Sequence, residues 1–186
     1  TCVQTIQYQD QTAPTIQCPE NVQVFTNDFS GDCGASVNLP IPTVRDDCEG
    51  EITIINSING TANASGFYPV GTTEVTWTAV DACGNSSTCT ITVTVIDATS
   101  PTVVCESILN LEIVEGDIIN LNPEDLDDGS FDNCGQLNFE LSQTSFGCED
   151  AGTNTITLTV TDGSGNSNSC TIEVNVAVNF EFLGCP

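Results

Sequence analysis

The chain has no histidine, no lysine and no methionine, and one arginine (Arg45) against 26 acidic side chains, for a formal charge of −25. Each absence excludes something. Without a basic face there is nothing to neutralise phosphates, so nucleic acid is excluded as a partner, as is an anionic membrane surface. Without imidazole and amine the common general bases and Schiff-base nucleophiles are missing, and imidazole zinc sites with them. Carboxylate-only chemistry is left, and no acidic pair is set among the aromatic and basic residues that line a sugar-cleaving site. The chain therefore reads as a non-enzyme. No apolar run approaches the roughly 18 residues of a spanning helix, and nothing resembles a signal peptide. The missing methionine points to a processed or excised piece of a longer protein.

What the chain does have is cysteine, 11 in 186 residues, with no Cys-x-x-Cys pair. That density points to disulfides and to an extracellular or cell-surface setting. It also has an internal repeat. Cys2, Asp10 and Pro14 recur 87 residues later as Cys89, Asp97 and Pro101. Asp81-Ala-Cys-Gly-Asn85, followed by Cys89, recurs 81 residues later as Asp162-Gly-Ser-Gly-Asn166, followed by Cys170. Such spacing marks tandem modules. The boundaries read as 14–97 and 98–178. Residues 1–13 read as the last strand of a preceding module, and 179–186 as the start of a following module or a contact segment.

Within each module, apolar residues alternate with polar ones: Val75/Trp77/Ala79 and Ile91/Val93/Val95 in the first, Ile156/Leu158/Val160 and Ile172/Val174/Val176 in the second. Period-2 alternation rich in Thr and Val, punctuated by Gly, Asn, Asp and Pro, predicts half-buried strands. The fold class is all-β: two tandem, disulfide-stapled immunoglobulin-like β-sandwiches with an extra N-terminal strand. Trp77 is assigned to the space between the sheets.

Particular residues carry a likeness. Pro14-Thr-Ile-Gln-Cys18-Pro19-Glu-Asn-Val, Asp47-Cys48, Phe67-Tyr-Pro-Val-Gly71 through Trp77, and Asp81-Ala-Cys-Gly-Asn85 through Cys89 resemble a hyalin repeat, the HYR domain. Asp132-Asn-Cys134-Gly, Ser145-Phe-Gly-Cys148 and Gly152 through Asp162 resemble a related immunoglobulin-like repeat of Bacteroidota surface proteins. The resemblance implies an extracellular, tandemly repeated adhesion or stalk module without catalytic residues.

First and last strands lie side by side in a sandwich, which pairs Cys18 with Cys89 and Cys105 with Cys170, and leaves Cys134 for Cys148. In module 1 two arrangements stand open. Loops sharing one end of the sandwich favour Cys48 with Cys83, and the likeness to hyalin-type repeats suggests Cys33 with Cys48. Cys2, Cys185 and, in the first arrangement, Cys33 are left for a neighbouring module or another chain. The module ends gather acids: Asp10, Asp46, Asp47 and Asp81 at the first joint, Asp97, Asp132 and Asp162 at the second. They are candidate ligands for calcium, an oxygen-seeking ion, although Asp81 and Asp162 also suit turn capping. Asn59, Asn63 and Asn85 head Asn-x-Ser/Thr sequons.

The expectation is a building block of an extracellular filament or adhesin stalk. Its modules run head to tail with copies of itself or with neighbouring modules, joined by strand addition or interchain disulfides. The alternative is a glycan- or protein-binding accessory module of a secreted protein.

Overall fold

The computed structural model describes residues 10–26, 33–47, 49–114 and 116–179. Between Asp97 and Ala98 the chain divides into two compact units, each described by itself.

In the first unit the strands are β1 (Thr15–Gln17), β2 (Val22–Phe25), β3 (Gly34–Val37), β4 (Thr43–Arg45), β5 (Thr53–Asn56), β6 (Gly66–Pro69), β7 (Gly71–Val80) and β8 (Ser86–Ile96). A four-stranded sheet runs β2-β8-β7-β5, opposed by the short pairs β3-β6 and β1-β4. The long hairpin β7-β8 follows from its sequence. Val75, Trp77 and Ala79 alternate with Thr72, Thr76 and Thr78, so one face is apolar and buried while the other is hydroxylated and faces water. On that outer face Thr76 pairs with Thr90 and Thr72 with Thr94 across the strands, their hydroxyls 2.8 and 3.3 Å apart.

Trp77 is fully buried, as expected, in a cluster with Tyr68, Val75, Val93 and Val95. Its indole N–H donates to the Ala62 carbonyl at 3.0 Å, and the Tyr68 hydroxyl donates to the Ala64 carbonyl at 2.6 Å. The two aromatic tips thereby fasten the β5–β6 connection to the core. Gly34 lies beneath the Phe67 ring, where an added Cβ would sit 2.3 Å from the ring edge.

In the second unit the strands are β9 (Ile108–Val114), β10 (Ile119–Asn120), β11 (Leu137–Leu141), β12 (Ser145–Phe146), β13 (Gly152–Asp162) and β14 (Ser167–Asn179), with 3₁₀ turns at Pro123–Leu126 and Cys148–Asp150. The four-stranded sheet runs β11-β13-β14-β9, opposed by β10-β12. Ile156, Leu158 and Val160 face Ile172 and Val174 across the sheet and pack on Phe146, which is fully buried. No helix among the described residues is long and apolar enough to cross a membrane.

Both units are all-β sandwiches of the expected class. In each, a strand early in the chain runs parallel to the last one: β2 beside β8, and β9 beside β14.

Candidate functional site

Three features recur or converge: the joining of first and last strands, the acid-headed hairpin turn, and a group of carboxylates beside Arg45.

The strand joints come first. Cys18 and Cys89 form a disulfide with Cα atoms 5.8 Å apart, closing a sequence separation of 71. Cys105 and Cys170 do the same in the second unit, at 6.5 Å and a separation of 65. Hydrogen bonds extend each joint. The Thr92 N–H donates to Asn21 Oδ1 at 3.0 Å, the Ser87 hydroxyl to the Pro14 carbonyl, and the Thr26 N–H to the Ile96 carbonyl at 2.9 Å. In the second unit Asn168 Nδ2 donates to the Pro101 carbonyl at 3.1 Å and the Glu173 N–H to the Ser107 carbonyl at 3.0 Å.

The hairpin turns are near-copies. Asp81 Oδ1 accepts the N–H groups of Cys83 and Asn85, both at 2.8 Å, and Oδ2 accepts Asn85 Nδ2 at 3.0 Å. Asp162 holds Ser164, Asn166 and the Asn166 side chain in the same way, at 2.8–2.9 Å. Gly84 and Gly165 adopt φ of 93° and 90°, the left-handed conformation this turn demands. Both carboxylates are buried, at 6% and 3% exposure. Burial pushes their pKa up, but the bonds from Asn85 and Asn166 and the turn N–H groups outweigh it. Both carboxyls end below the ordinary value of 3.8. Asp81 and Asp162 thus cap their own hairpin turns.

Asp10, Asp46 and Asp47 converge differently. One carboxylate oxygen from each lies within 4.8 Å of the others. Asp10 Oδ1 accepts the Thr12 N–H at 2.9 Å, and the Asp10 carbonyl accepts Asn85 Nδ2 at 3.2 Å, which ties this segment to the β7-β8 turn. Asp10 Oδ2 is buried and has no hydrogen-bond partner among the described residues. An open pocket of about 290 Å³ adjoins the group, lined by Thr12, Ala13, Thr15, Arg45, Asp46 and Asp47. An orphaned, buried carboxylate oxygen beside two further carboxylates fits a hard cation such as Ca²⁺, which takes oxygen ligands and offsets their mutual repulsion. Of the other acids singled out in the sequence, Asp97 is buried and accepts the Thr26 hydroxyl at 3.5 Å. Asp132 accepts the Cys134 N–H at 2.7 Å.

Cys33, Cys83, Cys134 and Cys148 are all disulfide-bonded. Cys33, grouped in sequence with Cys2 and Cys185 for another module or chain, is thus disulfide-bonded in this structure. Cys2, Cys48 and Cys185 lie outside the described residues.

Two features gave no sequence signal. Asn56 is 5% exposed and organises the β5–β6 loop, accepting from Ile58 and Asn59 N–H and donating to the Thr61 carbonyl at 2.6 Å. An open groove of about 540 Å³ lies between Gln17–Val22 and Pro40–Thr43, lined in part by Cys18, Pro19 and Ile41. The Asn-Ser-Ile-Asn-Gly run reads only as a loop, and the groove is made by segments far apart in the chain.

Residues 9–95 match the HYR domain family. The match falls on the first module, the HYR module of this chain, and leaves the second outside it. Hyalin of the sea urchin Strongylocentrotus purpuratus is 36% identical over 99 residues, covering 52% of this chain and 8% of its own length. Hyalin of Lytechinus variegatus is 35% identical over 98 residues, covering 52% and 18%. The mouse sushi, von Willebrand factor type A, EGF and pentraxin domain-containing protein 1 is 29% identical over 114 residues, covering 61% of this chain and 3% of that protein. The chain thus spans less than a fifth of each relative. These three are animal proteins, and none extends the likeness of module 2 to Bacteroidota repeats. Among solved structures, human mucin-like protocadherin EC1-2 aligns over 89% of this chain and 98% of its own, at 11% identity and a TM-score of 0.42. Drosophila N-cadherin EC1-4 aligns over 89% and 49%, at 12% identity and 0.42. Likeness at that level has no bearing on function.

Proposed function

We propose that this HYR-containing chain is a load-bearing segment of an extracellular filament or adhesin stalk, self-associating head to tail. The observation that supports it is the joint between first and last strands, built twice. A pull on the two ends of the HYR module enters near Cys18 and leaves near Cys89. The disulfide carries that load covalently and leaves the residues between the two cysteines out of the force path. With the disulfide reduced, the load passes instead to the parallel neighbours β2 and β8, which are pulled in opposite directions and shear with all their hydrogen bonds loaded at once. The cysteine content agrees with a site outside the cell.

Pulling on single chains tests this. With disulfides intact, rupture of the HYR module releases almost no hidden length. Under reductant it releases roughly 71 × 3.5 Å, about 250 Å. Equal extension in the two conditions removes the clamp. Head-to-tail assembly is tested by sedimentation and non-reducing gels; a monodisperse monomer at all concentrations ends that part of the proposal.

Asp10, Asp46 and Asp47 are the residues proposed to hold Ca²⁺ and to stiffen the entry to the HYR module. The expected result is a melting midpoint that rises with Ca²⁺ and falls with chelator, an effect lost in Asp46→Asn with Asp47→Asn. Superimposable melts dispose of the site. A second reading, a glycan- or protein-binding accessory module, is favoured by the open groove beside Cys18; glycan-array binding that Ile41→Asp abolishes distinguishes it.

A further inference from the structure

The three sequons have no part in the proposed load-bearing role, and the fold treats them unequally. Asn85 is half-buried, and its Nδ2 spends its donors on the Asp10 carbonyl at 3.2 Å and Asp81 Oδ2 at 3.0 Å. The sequon hydroxyls do not separate the sites: Ser87 is bound to the Pro14 carbonyl, and Ser65, of the Asn63 sequon, to Asn38 Oδ1 and the Leu39 carbonyl. A sugar on Asn85 Nδ2 leaves a single N–H, so it displaces either the bond that holds the hairpin turn or the one that holds the entering chain. Asn59 is exposed, but its side chain is the hub of the loop. Oδ1 accepts from Asn56 Nδ2 at 2.8 Å, the Thr61 N–H at 3.0 Å and the Thr61 hydroxyl at 2.8 Å, while Nδ2 donates to the Asn63 carbonyl at 3.0 Å.

Asn63 is the contrast. It is exposed, and its Oδ1 accepts the Ser65 N–H at 2.8 Å, which fixes the side chain by its oxygen. Its Nδ2 has no hydrogen-bond partner among the described residues. The surroundings are open: a Cβ added to Gly60 or Gly66, three residues either side, meets nothing within 4 Å. The backbone beneath is rigid, because Trp77 and Tyr68 grip the carbonyls of Ala62 and Ala64 on either side of Asn63.

We propose that Asn63 is the one position of the three at which this chain accepts an N-linked oligosaccharide, and that the fold closes Asn59 and Asn85 to it. The donor is a lipid-diphosphate-linked oligosaccharide. A bond forms between Asn63 Nδ2 and the anomeric carbon, the bond from that carbon to the diphosphate oxygen breaks, the diphosphate leaves with the electron pair, and Nδ2 gives up one proton. The product keeps the Asn63 Oδ1 contact to Ser65 and every other bond in the loop.

The test is secretion of the whole chain from a eukaryotic host that carries this transferase. Enzymatic release of the glycan in heavy-oxygen water then marks each occupied asparagine in peptide maps. The expected result is one glycan per chain, at Asn63, and none in Asn63→Asp, a variant that keeps the oxygen acceptor for Ser65 and so keeps the loop. Circular dichroism of that variant matching the parent separates loss of the acceptor from loss of the fold. A parent chain without glycan, a glycan that persists in Asn63→Asp, or label at Asn59 or Asn85 overturns the proposal.

Discussion

The two modules are built alike at their ends and differently in their middles. Each has a disulfide that ties its entering segment to its last strand, an early strand parallel to that last strand, and an Asp-x-x-Gly-Asn turn with a buried aspartate. Their cores differ. The HYR module is filled by Trp77 and Tyr68, which also hold a long loop by their polar tips. The second module is filled by Phe146 with Leu and Ile, and its crossing segments contain 3₁₀ turns in place of that loop. Any well-filled volume stabilises a sandwich, so core identity is free to vary. A joint with the load-bearing role proposed above has no such freedom, because load would enter and leave at fixed strands.

That contrast can be broken in order of effect. Removing either terminal staple, as Cys18→Ser with Cys89→Ser or Cys105→Ser with Cys170→Ser, lowers stability by about 4 kcal/mol through loop-closure entropy. Separations of 71 and 65 make the two losses nearly equal. Chemical denaturation of each variant measures this, and a loss confined to one module ends the equivalence of the two joints. Trp77→Phe costs about 1–3 kcal/mol, from the lost indole bond and the space left behind. It lowers only the transition of the HYR module, and a shift of both transitions in denaturant refutes separate cores. Acid acts on both modules together. The folded-state pKa values of Asp81 and Asp162 lie below the ordinary 3.8, so their contribution is present above that value and is lost as pH falls through the folded pKa. Asp81→Asn with Asp162→Asn flattens that part of the profile below pH 3.8, and an unchanged acid limb counts against the turn caps as its source. At the small end, Ile58→Ser and Ile118→Ser, at positions 46% and 66% exposed, change either module by less than about 0.5 kcal/mol.

Much of this architecture was legible before any coordinates. Thr–Val alternation announces the strands because successive side chains in a strand point to opposite faces. The 87- and 81-residue offsets announce two modules because the same turn and staple recur in order. Trp77 sits at an apolar position of that alternation and lies in the core. The site was less legible. Asp46 and Asp47 end one strand segment and Asp10 enters from far upstream, and only the fold sets their oxygens within 4.8 Å. Asp81, grouped with them by its place near the same joint, turns inward to its own hairpin. The sequons are textually equivalent, yet Asn85 is bonded on both donors and Asn63 on neither.

The sequence by itself determined what is local or periodic: all-β class, module count, turn chemistry and the high negative charge. Those properties depend on backbone preference and composition, which a chain carries with it. Tertiary structure alone decided which sulfurs bond beyond the terminal staples, which carboxylates converge and which asparagine faces open solvent. Such outcomes depend on distances between residues far apart in the chain, and those distances exist only once the sheets have packed.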